Sequence, residues 1–206
     1  MVSFVLALSI AQAAPVIGTE AAPPLAPGQE EAVFAAGCFW CVEAAYDGVP
    51  GVVSASSGYT GGTLPNPSYA QVSHTETGHV EAVRVVYDPA KISYDLLLYI
   101  FWRNVDPFDH DGQFCDQGSS YQPAIFVKGE TQRQAAVASR TVVEKQLGRA
   151  VQVPIRDAST FWLAEDYHQD YHSKNSVKYS YYRWGCGRDK RLSEVWGTEA
   201  GGGVKH

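Results

Sequence analysis

The stretch Gly37-Cys38-Phe39-Trp40-Cys41 is the feature that most restricts how this chain can fold. The apolar run 32–36 leads into it and the run 42–46 follows it, which predicts a strand, a tight turn and a helix with Cys38 at or near the helix N-terminus. Because the first-turn amide groups of a helix have no intrahelical partners, they favour a thiolate over a thiol. Cys38 is therefore a candidate nucleophile, and a buried structural cysteine is the alternative.

The first thirty residues fall into two parts of different composition. Residues 1–14 are apolar and close on Ala11-Gln12-Ala13-Ala14, which is typical of a signal peptide with its cleavage site. This run is shorter than the roughly 20 residues that a membrane-spanning helix needs, and the alternative is a core strand. Residues 15–30 contain several prolines and few large apolar side chains, so we predict a disordered linker. We expect an exported protein, periplasmic or secreted, with no membrane segment in its mature form.

The remaining chain has the size of one ordinary domain. We place a single catalytic domain at residues 31–197 and a disordered glycine-rich tail at 198–206. The formal net charge of -6 argues against a basic surface for nucleic acid or anionic lipid. We therefore expect no nucleic-acid partner, and we expect a monomer.

Hydrophobic periodicity predicts an α+β fold. The order through residue 128 is β-α-β-β-α-β, the ferredoxin-like split βαβ arrangement, whose two-layer core has helices on one face of a mainly antiparallel sheet. An added helix, a strand, one more short helix and a long C-terminal coil elaborate this core. The predicted strands are 31–36, 52–58, 79–88, 124–128 and 151–156, and the predicted helices are 38–47, one that follows Ser93, 130–147 and a short one within 161–172.

Glu81 stands out in the third predicted strand. Strand alternation places it on the same side as Val83, Val85 and Tyr87. A carboxyl group on an otherwise apolar face is partly desolvated, which raises its pKa and lets it act as an acid near neutral pH. A strand-end residue that reaches solvent is the alternative.

Two long connections, 59–78 and 104–122, are rich in Gly, Pro, Asp and Tyr, and loops of this length tend to be functional. They contain Tyr59, Tyr69 and Tyr121. A phenol donates a hydrogen bond without carrying charge, which suits a neutral polar substrate oxygen. Packing is the more common role of a single loop tyrosine.

The chain contains four cysteines. Cys186 lies between two glycines, and a thiol on such a segment can travel to another sulfur, as a resolving cysteine must. Cys41 is one helical turn from Cys38 and competes for that role. Cys115 is a third candidate, and it carries no signal alone.

Taken together, these motifs resemble the peptide methionine sulfoxide reductase A family from about residue 33 to residue 197. The matching motifs are Gly37-Cys38-Phe39-Trp40 with Val42-Glu43, Gly58-Tyr59-Thr60-Gly61-Gly62, Asn66-Pro67-Ser68-Tyr69, Thr77-Gly78-His79-Val80-Glu81-Ala82-Val83, Tyr87-Asp88-Pro89, and Phe101-Trp102 through Asp106-Pro107. One departure lies at Tyr121, because the family's Asp-x-Gly-x-Gln-Tyr is usually followed by Arg-Ser, whereas here Ser120 precedes it and Gln122-Pro123 follow.

The resemblance implies reduction of the S epimer of methionine sulfoxide, free or in oxidised proteins, to methionine. Carried over by position, the nucleophile is Cys38, the acid is Glu81, and the donors to the sulfoxide oxygen are Tyr69 and Tyr121. The pocket for the substrate methyl group would be formed by Phe39 and Trp40, and Asp116 matches a polar position in the family's site.

Chemically, the sulfoxide oxygen must leave as water, so a protonated Glu81 would assist thiolate attack and Cys38 would become a sulfenic acid. A second thiol then condenses with it, with Cys186 the first choice, and an external thioredoxin-like protein reduces the disulfide. No bound cofactor is expected.

Three other functions share some of these sequence features. A thioredoxin-like Cys-x-x-Cys disulfide oxidoreductase would share the motif of Cys38 and Cys41, but it would leave Glu81 without a purpose. A zinc site is disfavoured because no second closely spaced pair of ligands accompanies the first, so no metal is expected. A non-enzymatic interaction domain would not need an acid on an apolar face.

Overall fold

The computed structural model describes residues 19–203, and the predicted signal peptide lies outside the described residues. The strands are β1 (Glu30–Ala35), β2 (Val52–Thr60), β3 (Val80–Tyr87), β4 (Gly112–Gln113), β5 (Asp116–Gln117), β6 (Ala124–Val127), β7 (Ile155–Asp157) and β8 (Trp162–Leu163). The α-helices are α1 (Phe39–Tyr46), α2 (Tyr69–His74), α3 (Tyr94–Arg103), α4 (Gly129–Leu147), α5 (Tyr171–Lys174), α6 (Ser176–Gly185) and α7 (Arg188–Trp196). Short 3-10 helices cover Ser119–Tyr121 and Gly197–Gly203.

The main sheet has the strand order β7-β6-β1-β3-β2-β8. Neighbouring strands pair antiparallel except for β6 and β7, which run parallel. The elements β1, α1, β2, β3, α3 and β6 follow the predicted β-α-β-β-α-β order. The α+β class is confirmed, and β1 and β3 lie at the centre of the sheet.

The two faces of the sheet bury different residues, as the alternation in β3 predicts. Val83, Val85 and Tyr87 belong to the main core, together with Phe34 and the apolar faces of α1 and α3. The opposite face has a smaller cluster that includes Ala82 and Phe126. Period-2 alternation therefore places Glu81 on the helix-covered face.

The predicted disordered linker is ordered in its described part, from Thr19 onward. The amide of Ala22 donates to the carbonyl of Phe161 at 2.9 Å, and the Leu163 amide donates to the Glu20 carbonyl at 2.8 Å. Ala22 also packs on the smaller core cluster. This segment covers an apolar sheet face that would otherwise be exposed, which explains why a proline-rich stretch is held in place.

The predicted tail is also ordered as far as residue 203. Glu199 forms an ion pair with Arg103 of α3 at 2.6 Å. An added Cβ at Gly202 would lie 3.1 Å from the Cα of Ile100, and φ at this glycine is +67°. The close approach to α3 and the left-handed backbone both favour glycine here.

The C-terminal region is helical, and the predicted long coil is wrong. Its helices α6 and α7 bury Tyr179, Arg183, Leu192 and Trp196. Aromatic and serine residues give α6 a modest intrinsic helix propensity, so its buried face supplies the stability that the local sequence does not.

Several local predictions also need correction. The segment 161–172 forms β8 and turns before the single-turn α5, instead of one short helix. The predicted strand 151–156 is shorter and begins at Ile155. Within the described residues, no helix is both long and apolar enough to cross a membrane.

Candidate active site

Cys38 is the N-cap residue of α1, directly after β1, as the strand-turn-helix pattern predicts. The turn depends on Gly37, whose φ is +77° and where an added Cβ would lie 2.6 Å from the Cβ of Gln113. A larger residue would therefore be strained and would also displace the loop that carries Cys115. The Cys38 side chain is buried, with 5% relative exposure.

Glu81 lies in β3 beside the start of α1. Its Oε2 accepts the backbone N–H of Phe39 at 2.9 Å, and the residue is 3% exposed. Burial raises the pKa of Glu81 to about 8, the charges of Asp116 and Cys41 add to the rise, and the Phe39 amide opposes it. Near neutral pH the side chain is therefore mainly a carboxylic acid, as the sequence predicts.

The thiols of Cys38 and Cys41 form a coupled pair on the first turn of α1. A hydrogen bond from Cys38 lowers the pKa of Cys41 to about 6, and the guanidinium groups of Arg188 and Arg183 lower it further. Burial and the charge on Cys41 raise the pKa of Cys38. The pair therefore shares one proton and one negative charge between two sulfurs near neutral pH.

The pair changes the sequence-based explanation of thiol activation. The sequence predicts that the free amide groups of the helix N-terminus stabilise a Cys38 thiolate. In the structure, the first of these amides, that of Phe39, donates to Glu81. The buried cations that face Cys41 instead supply the positive potential.

Tyr69 and Tyr121 come from the two long loops and meet beside Glu81. Tyr69 begins α2, whose N-cap Ser68 forms a capping box with Gln71. The side chains of Tyr69 and Tyr121 interact with each other, and burial raises the pKa of both, with a further rise from the nearby Glu81 charge. Both phenols are therefore neutral hydrogen-bond donors throughout the ordinary pH range.

Phe39 and Trp40 supply the aromatic surface next to the thiols. The ring of Trp40 stacks on Tyr171 with centroids 3.8 Å apart, and it lies edge-on to Tyr182 at 5.8 Å. Phe39 is fully buried and packs against Tyr59 at 5.9 Å. The partly exposed Trp40 therefore offers more surface to a ligand than Phe39 does.

His168 joins these aromatic residues, although sequence reasoning did not select it. Its Nδ1 accepts the indole N–H of Trp40 at 3.2 Å, and its ring lies 4.5 Å from that of Tyr69 and 4.9 Å from that of Phe39. Burial lowers the pKa of His168 to about 4, so the imidazole is neutral. Because Nδ1 is the acceptor, the proton lies on Nε2, which has no partner among the described residues.

Glu165 fixes the loop that precedes His168, and sequence reasoning missed it as well. Its Oε1 accepts the backbone N–H of Tyr69 at 2.8 Å, and its Oε2 accepts the hydroxyl of Tyr59 at 2.9 Å. The Tyr59 hydroxyl therefore helps to hold Glu165, which binds the Tyr69 backbone, while the Tyr69 side chain lies beside Glu81. The acidic and aromatic run 165–168 is the sequence signal for these residues, but the prediction assigns it only to the short helix within 161–172.

Cys115 and Cys186 are joined by a disulfide bond, while Cys38 and Cys41 are free. We expected Cys186 to react with Cys38, with Cys41 as competitor, so the pairing with the third candidate is a finding of the structure. The ligand atoms of Cys115, Asp116 and Cys186 lie within 4.8 Å of one another, but the bonded sulfurs are not thiolate ligands for a metal.

Asp116 and Tyr182 lie between the disulfide and the buried thiols. The Tyr182 hydroxyl donates to Asp116 Oδ2 at 2.5 Å, and the Cys186 sulfur lies 3.9 Å from the same oxygen. Tyr182 also packs against the cluster that contains Cys38 and Cys41, and it can hydrogen-bond to Cys38. Asp116 therefore contacts the disulfide side of the site, while Tyr182 reaches from it to the nucleophile.

The comparisons with known proteins agree with this geometry. The family model for peptide methionine sulfoxide reductase matches residues 30–200. The chain belongs to the peptide methionine sulfoxide reductase family. Its activity is the reduction of methionine sulfoxide to methionine.

Individual relatives of this family cover nearly the whole chain. Peptide methionine sulfoxide reductase MsrA 2 of Caulobacter vibrioides is 53% identical over 193 residues, which are 93% of this chain and 98% of the relative. The protein of the same description from Rhizobium meliloti is 46% identical over 184 residues, covering 89% of this chain and 92% of the relative.

A solved family structure is also similar. Methionine sulfoxide reductase A of Corynebacterium diphtheriae has a TM-score of 0.67 and 34% identity, covering 74% of this chain and 77% of that one. The reduced form of Mxr1 from Saccharomyces cerevisiae has a TM-score of 0.70 and 26% identity, covering 74% of this chain and 90% of that one.

Proposed function

We propose that the chain reduces the S epimer of methionine sulfoxide, free or peptide-bound, with Cys38 as nucleophile and Glu81 as proton donor. The observation that carries this assignment is the hydrogen bond from the Phe39 amide to Glu81, which holds a buried acid beside the N-cap cysteine. The phenols of Tyr69 and Tyr121 lie on the same side of the acid.

The nucleophile is generated by a proton shift within the thiol pair. When the shared proton moves from Cys38 to Cys41, the negative charge moves to the Cys38 sulfur without a change in the total charge. Glu81 keeps its proton, because its pKa is raised to about 8. Both forms that the reaction needs, a thiolate and a carboxylic acid, are thus present together near neutral pH.

In the reductive step, the Cys38 thiolate bonds to the sulfoxide sulfur while Glu81 and a second proton convert the oxygen to water. Tyr69 and Tyr121 donate to that oxygen as its negative charge develops. The water then attacks the Cys38 sulfur, methionine departs, and a proton is released. The net change transfers one oxygen to Cys38, which becomes a sulfenic acid after a two-electron oxidation.

Substrate specificity comes from Trp40 and the neutral His168. The indole ring provides an apolar surface for the methyl group, and the buried His168 N–H at Nε2, which has no partner among the described residues, is an additional uncharged donor. Asp116 holds Tyr182 toward the nucleophile. An apolar pocket with a few neutral donors suits a sulfoxide, which is polar and carries no net charge.

The disulfide between Cys115 and Cys186 supports a two-stage resolution. The Cys186 thiol attacks the Cys38 sulfenic acid, water leaves, and a Cys38–Cys186 disulfide forms. The Cys115 thiolate then attacks the Cys186 sulfur, and Cys38 departs as a thiolate, which restores the negative charge of the thiol pair. The product is the Cys115–Cys186 bond of the structure, in which Cys115 is exposed and the nucleophile is free again.

An exposed disulfide suits reduction by an external dithiol protein. The protein Mxr1 of Saccharomyces cerevisiae has been solved in complex with Trx2. For this chain we propose a thioredoxin-like donor, which in an exported protein would act outside the cytoplasm. Activity as a Cys-x-x-Cys disulfide oxidoreductase is the alternative function. The assay described next distinguishes it from sulfoxide reduction.

The test supplies each epimer of methionine sulfoxide with dithiothreitol and measures methionine. We expect methionine from the S epimer only, and none with Cys38→Ser. Conversion of the R epimer at an equal rate would contradict the assignment. Absence of methionine from both epimers, together with disulfide exchange through a Cys38–Cys41 bond, would favour the alternative function.

A further inference from the structure

Arg188 is a buried cation whose charge acts on Cys41 but whose contacts with the chain have so far been given no role. It is the first residue of α7 and is 1% exposed. Its Nη2 donates to the carbonyl of Asn104 at 2.7 Å and to that of Ala36 at 3.1 Å. The guanidinium carbon also lies 4.3 Å from the centroid of the Phe114 ring.

These contacts join the three segments that carry the reacting cysteines. Ala36 precedes Cys38 by two residues, and Phe114 directly precedes Cys115. Arg188 itself follows Cys186 by two residues, across Gly187, whose φ is +70°. One planar side chain therefore sets the relative positions of all three sulfur-bearing segments.

The charge of Arg188 is compensated in an unusual way. Among the described residues no carboxylate forms an ion pair with it, and its Nε has no hydrogen-bond partner. A buried charge without compensation is costly. Its charge favours the ionised forms of Cys41, Asp116 and Tyr179: it lowers the pKa of Cys41 and opposes the rise that burial causes in the pKa of Asp116 and Tyr179. Its positive charge is thus directed at the thiol pair and at the residue beside the disulfide.

We propose that Arg188 is the positioning residue of the cysteine relay. It holds the Cys115 and Cys186 segments in register with the turn before Cys38, and its charge stabilises the negative charge of the thiol pair. This inference rests on the proposed function, and it adds the requirement that sulfur transfer from Cys38 to Cys115 depends on one buried arginine.

Two substitutions separate position from charge. Arg188→Lys keeps the cation but loses the planar group that bonds two carbonyls and stacks on Phe114. Arg188→Met keeps much of the length and removes the charge as well. The matched control is Arg103→Lys, because Arg103 is also buried, lies 4.5 Å and 4.4 Å from the rings of Tyr99 and Trp196, and hydrogen-bonds to Glu199 and Gln146 instead of to the cysteine-bearing segments.

The first measurement follows one turnover of the reduced protein without a reductant. Methionine release is measured by quenched flow, and disulfides are assigned by mass mapping. With Arg188→Lys we expect Cys115–Cys186 formation to slow about tenfold or more, and by a larger factor than methionine release, since misplacement by about 1 Å can cost a factor near 100. The Cys38–Cys186 bond should accumulate. Arg103→Lys should form the final bond at the wild-type rate.

The second measurement is the pH dependence of alkylation of the thiol pair by iodoacetamide. We expect the midpoint to rise by about one unit in Arg188→Met and to stay near wild type in Arg188→Lys, because only the former removes the charge. The titratable and charged groups that face the pair are Tyr69, Glu81, Tyr179, Tyr182, Arg183 and Arg188.

Failure of the Arg188 proposal can be distinguished from failure of the proposed function. If the proposed function is wrong, the wild-type protein itself releases no methionine. A wild-type rate of Cys115–Cys186 formation in Arg188→Lys would overturn the positioning role. An equal slowing in Arg103→Lys would do the same, because the effect would then be general destabilisation. If Arg188→Met does not fold, Arg188→Lys still decides, and thermal unfolding of all three variants shows which of them are native.

Discussion

The amide of Phe39 donates to the Glu81 carboxyl at 2.9 Å, across a sequence separation of 42 residues. This bond joins the first turn of α1 to the middle of the sheet, so the acid and the nucleophile are fixed by the same backbone group. It uses one carboxyl oxygen and leaves the other free to carry a proton. The two roles proposed from sequence therefore depend on a single contact.

Replacement of Glu81 by Gln should abolish most of the reductive step while preserving the site. The amide oxygen can still accept the Phe39 N–H, but the side chain has no acidic proton to give. We expect the single-turnover rate of methionine release to fall by about 10²- to 10⁴-fold, the usual worth of general acid catalysis. Substrate affinity, measured on Cys38→Ser with and without the change, should stay within about threefold. The exposed Glu130→Gln is the control, and an unchanged rate in Glu81→Gln would remove Glu81 from the mechanism.

The single-turnover rate should follow a bell-shaped pH profile. The rate requires the thiol pair to carry one negative charge, so the rate rises through the Cys41 pKa of about 6. It also requires a protonated Glu81, so it falls as pH rises through about 8. Rapid-quench measurements from pH 5 to 10 would show this, and the slow residual reaction of Glu81→Gln should lack the alkaline limb. A wild-type rate that keeps rising above pH 9 would exclude the raised pKa.

Glu81 also links stability to pH with a defined sign. Its folded pKa of about 8 lies above its ordinary value of 4.5, so the folded state retains a proton that the unfolded state has lost. The stabilising contribution is fully present below the unfolded pKa and is lost as pH rises through the folded value. Compared with Glu81→Gln, the wild type should therefore lose free energy of unfolding between those two pH values. Urea unfolding of both proteins at several pH values measures the difference, and parallel curves would contradict it.

The phenols of Tyr69 and Tyr121 should act mainly on the transition state. Each change to Phe removes one neutral donor and leaves the ring in place, so we expect the single-turnover rate to fall by about 10- to 100-fold, with a larger loss in the double variant. Tyr181→Phe, which changes an exposed ring, is the matched control and should leave the single-turnover rate unchanged. Wild-type rates in Tyr69→Phe, Tyr121→Phe and the double variant would show that the sulfoxide oxygen binds elsewhere.

The sequence predicted the parts of the site that local patterns determine. Cys38 at a strand-helix turn and Glu81 on an apolar strand face both follow from the period of the chain near them. The Cys115–Cys186 bond could not be predicted this way, because it joins residues separated by 71 positions through the packing of α6 and α7. His168 was missed for the same reason, since its significance lies in contacts with distant aromatic rings.

The resolving pathway predicts a different trapped species for each cysteine variant. After one turnover without reductant, Cys186→Ser should retain a Cys38 sulfenic acid that reacts with dimedone. Cys115→Ser should stop at a Cys38–Cys186 disulfide, because the second exchange lacks its thiol. Cys41→Ser should still reach the final bond, with a slower first step. Mass mapping of each protein checks this, and dimedone labelling in Cys41→Ser alone would transfer the resolving role to Cys41.

The hydrophobic core around Phe34 contributes to the free energy of unfolding. Phe34 is fully buried in β1, and its ring lies 5.4 Å from that of Tyr46 and 5.2 Å from that of Phe101. Because Phe34→Ala leaves a cavity between two helices and the sheet, we expect the free energy of unfolding to fall by about 3–5 kcal/mol. Val53→Ala, at a position 54% exposed, should change it by less than about 0.5 kcal/mol. Urea unfolding measures both, and a loss below 1 kcal/mol in Phe34→Ala, on the order of a surface change, would mean that the ring is not part of a closely packed core.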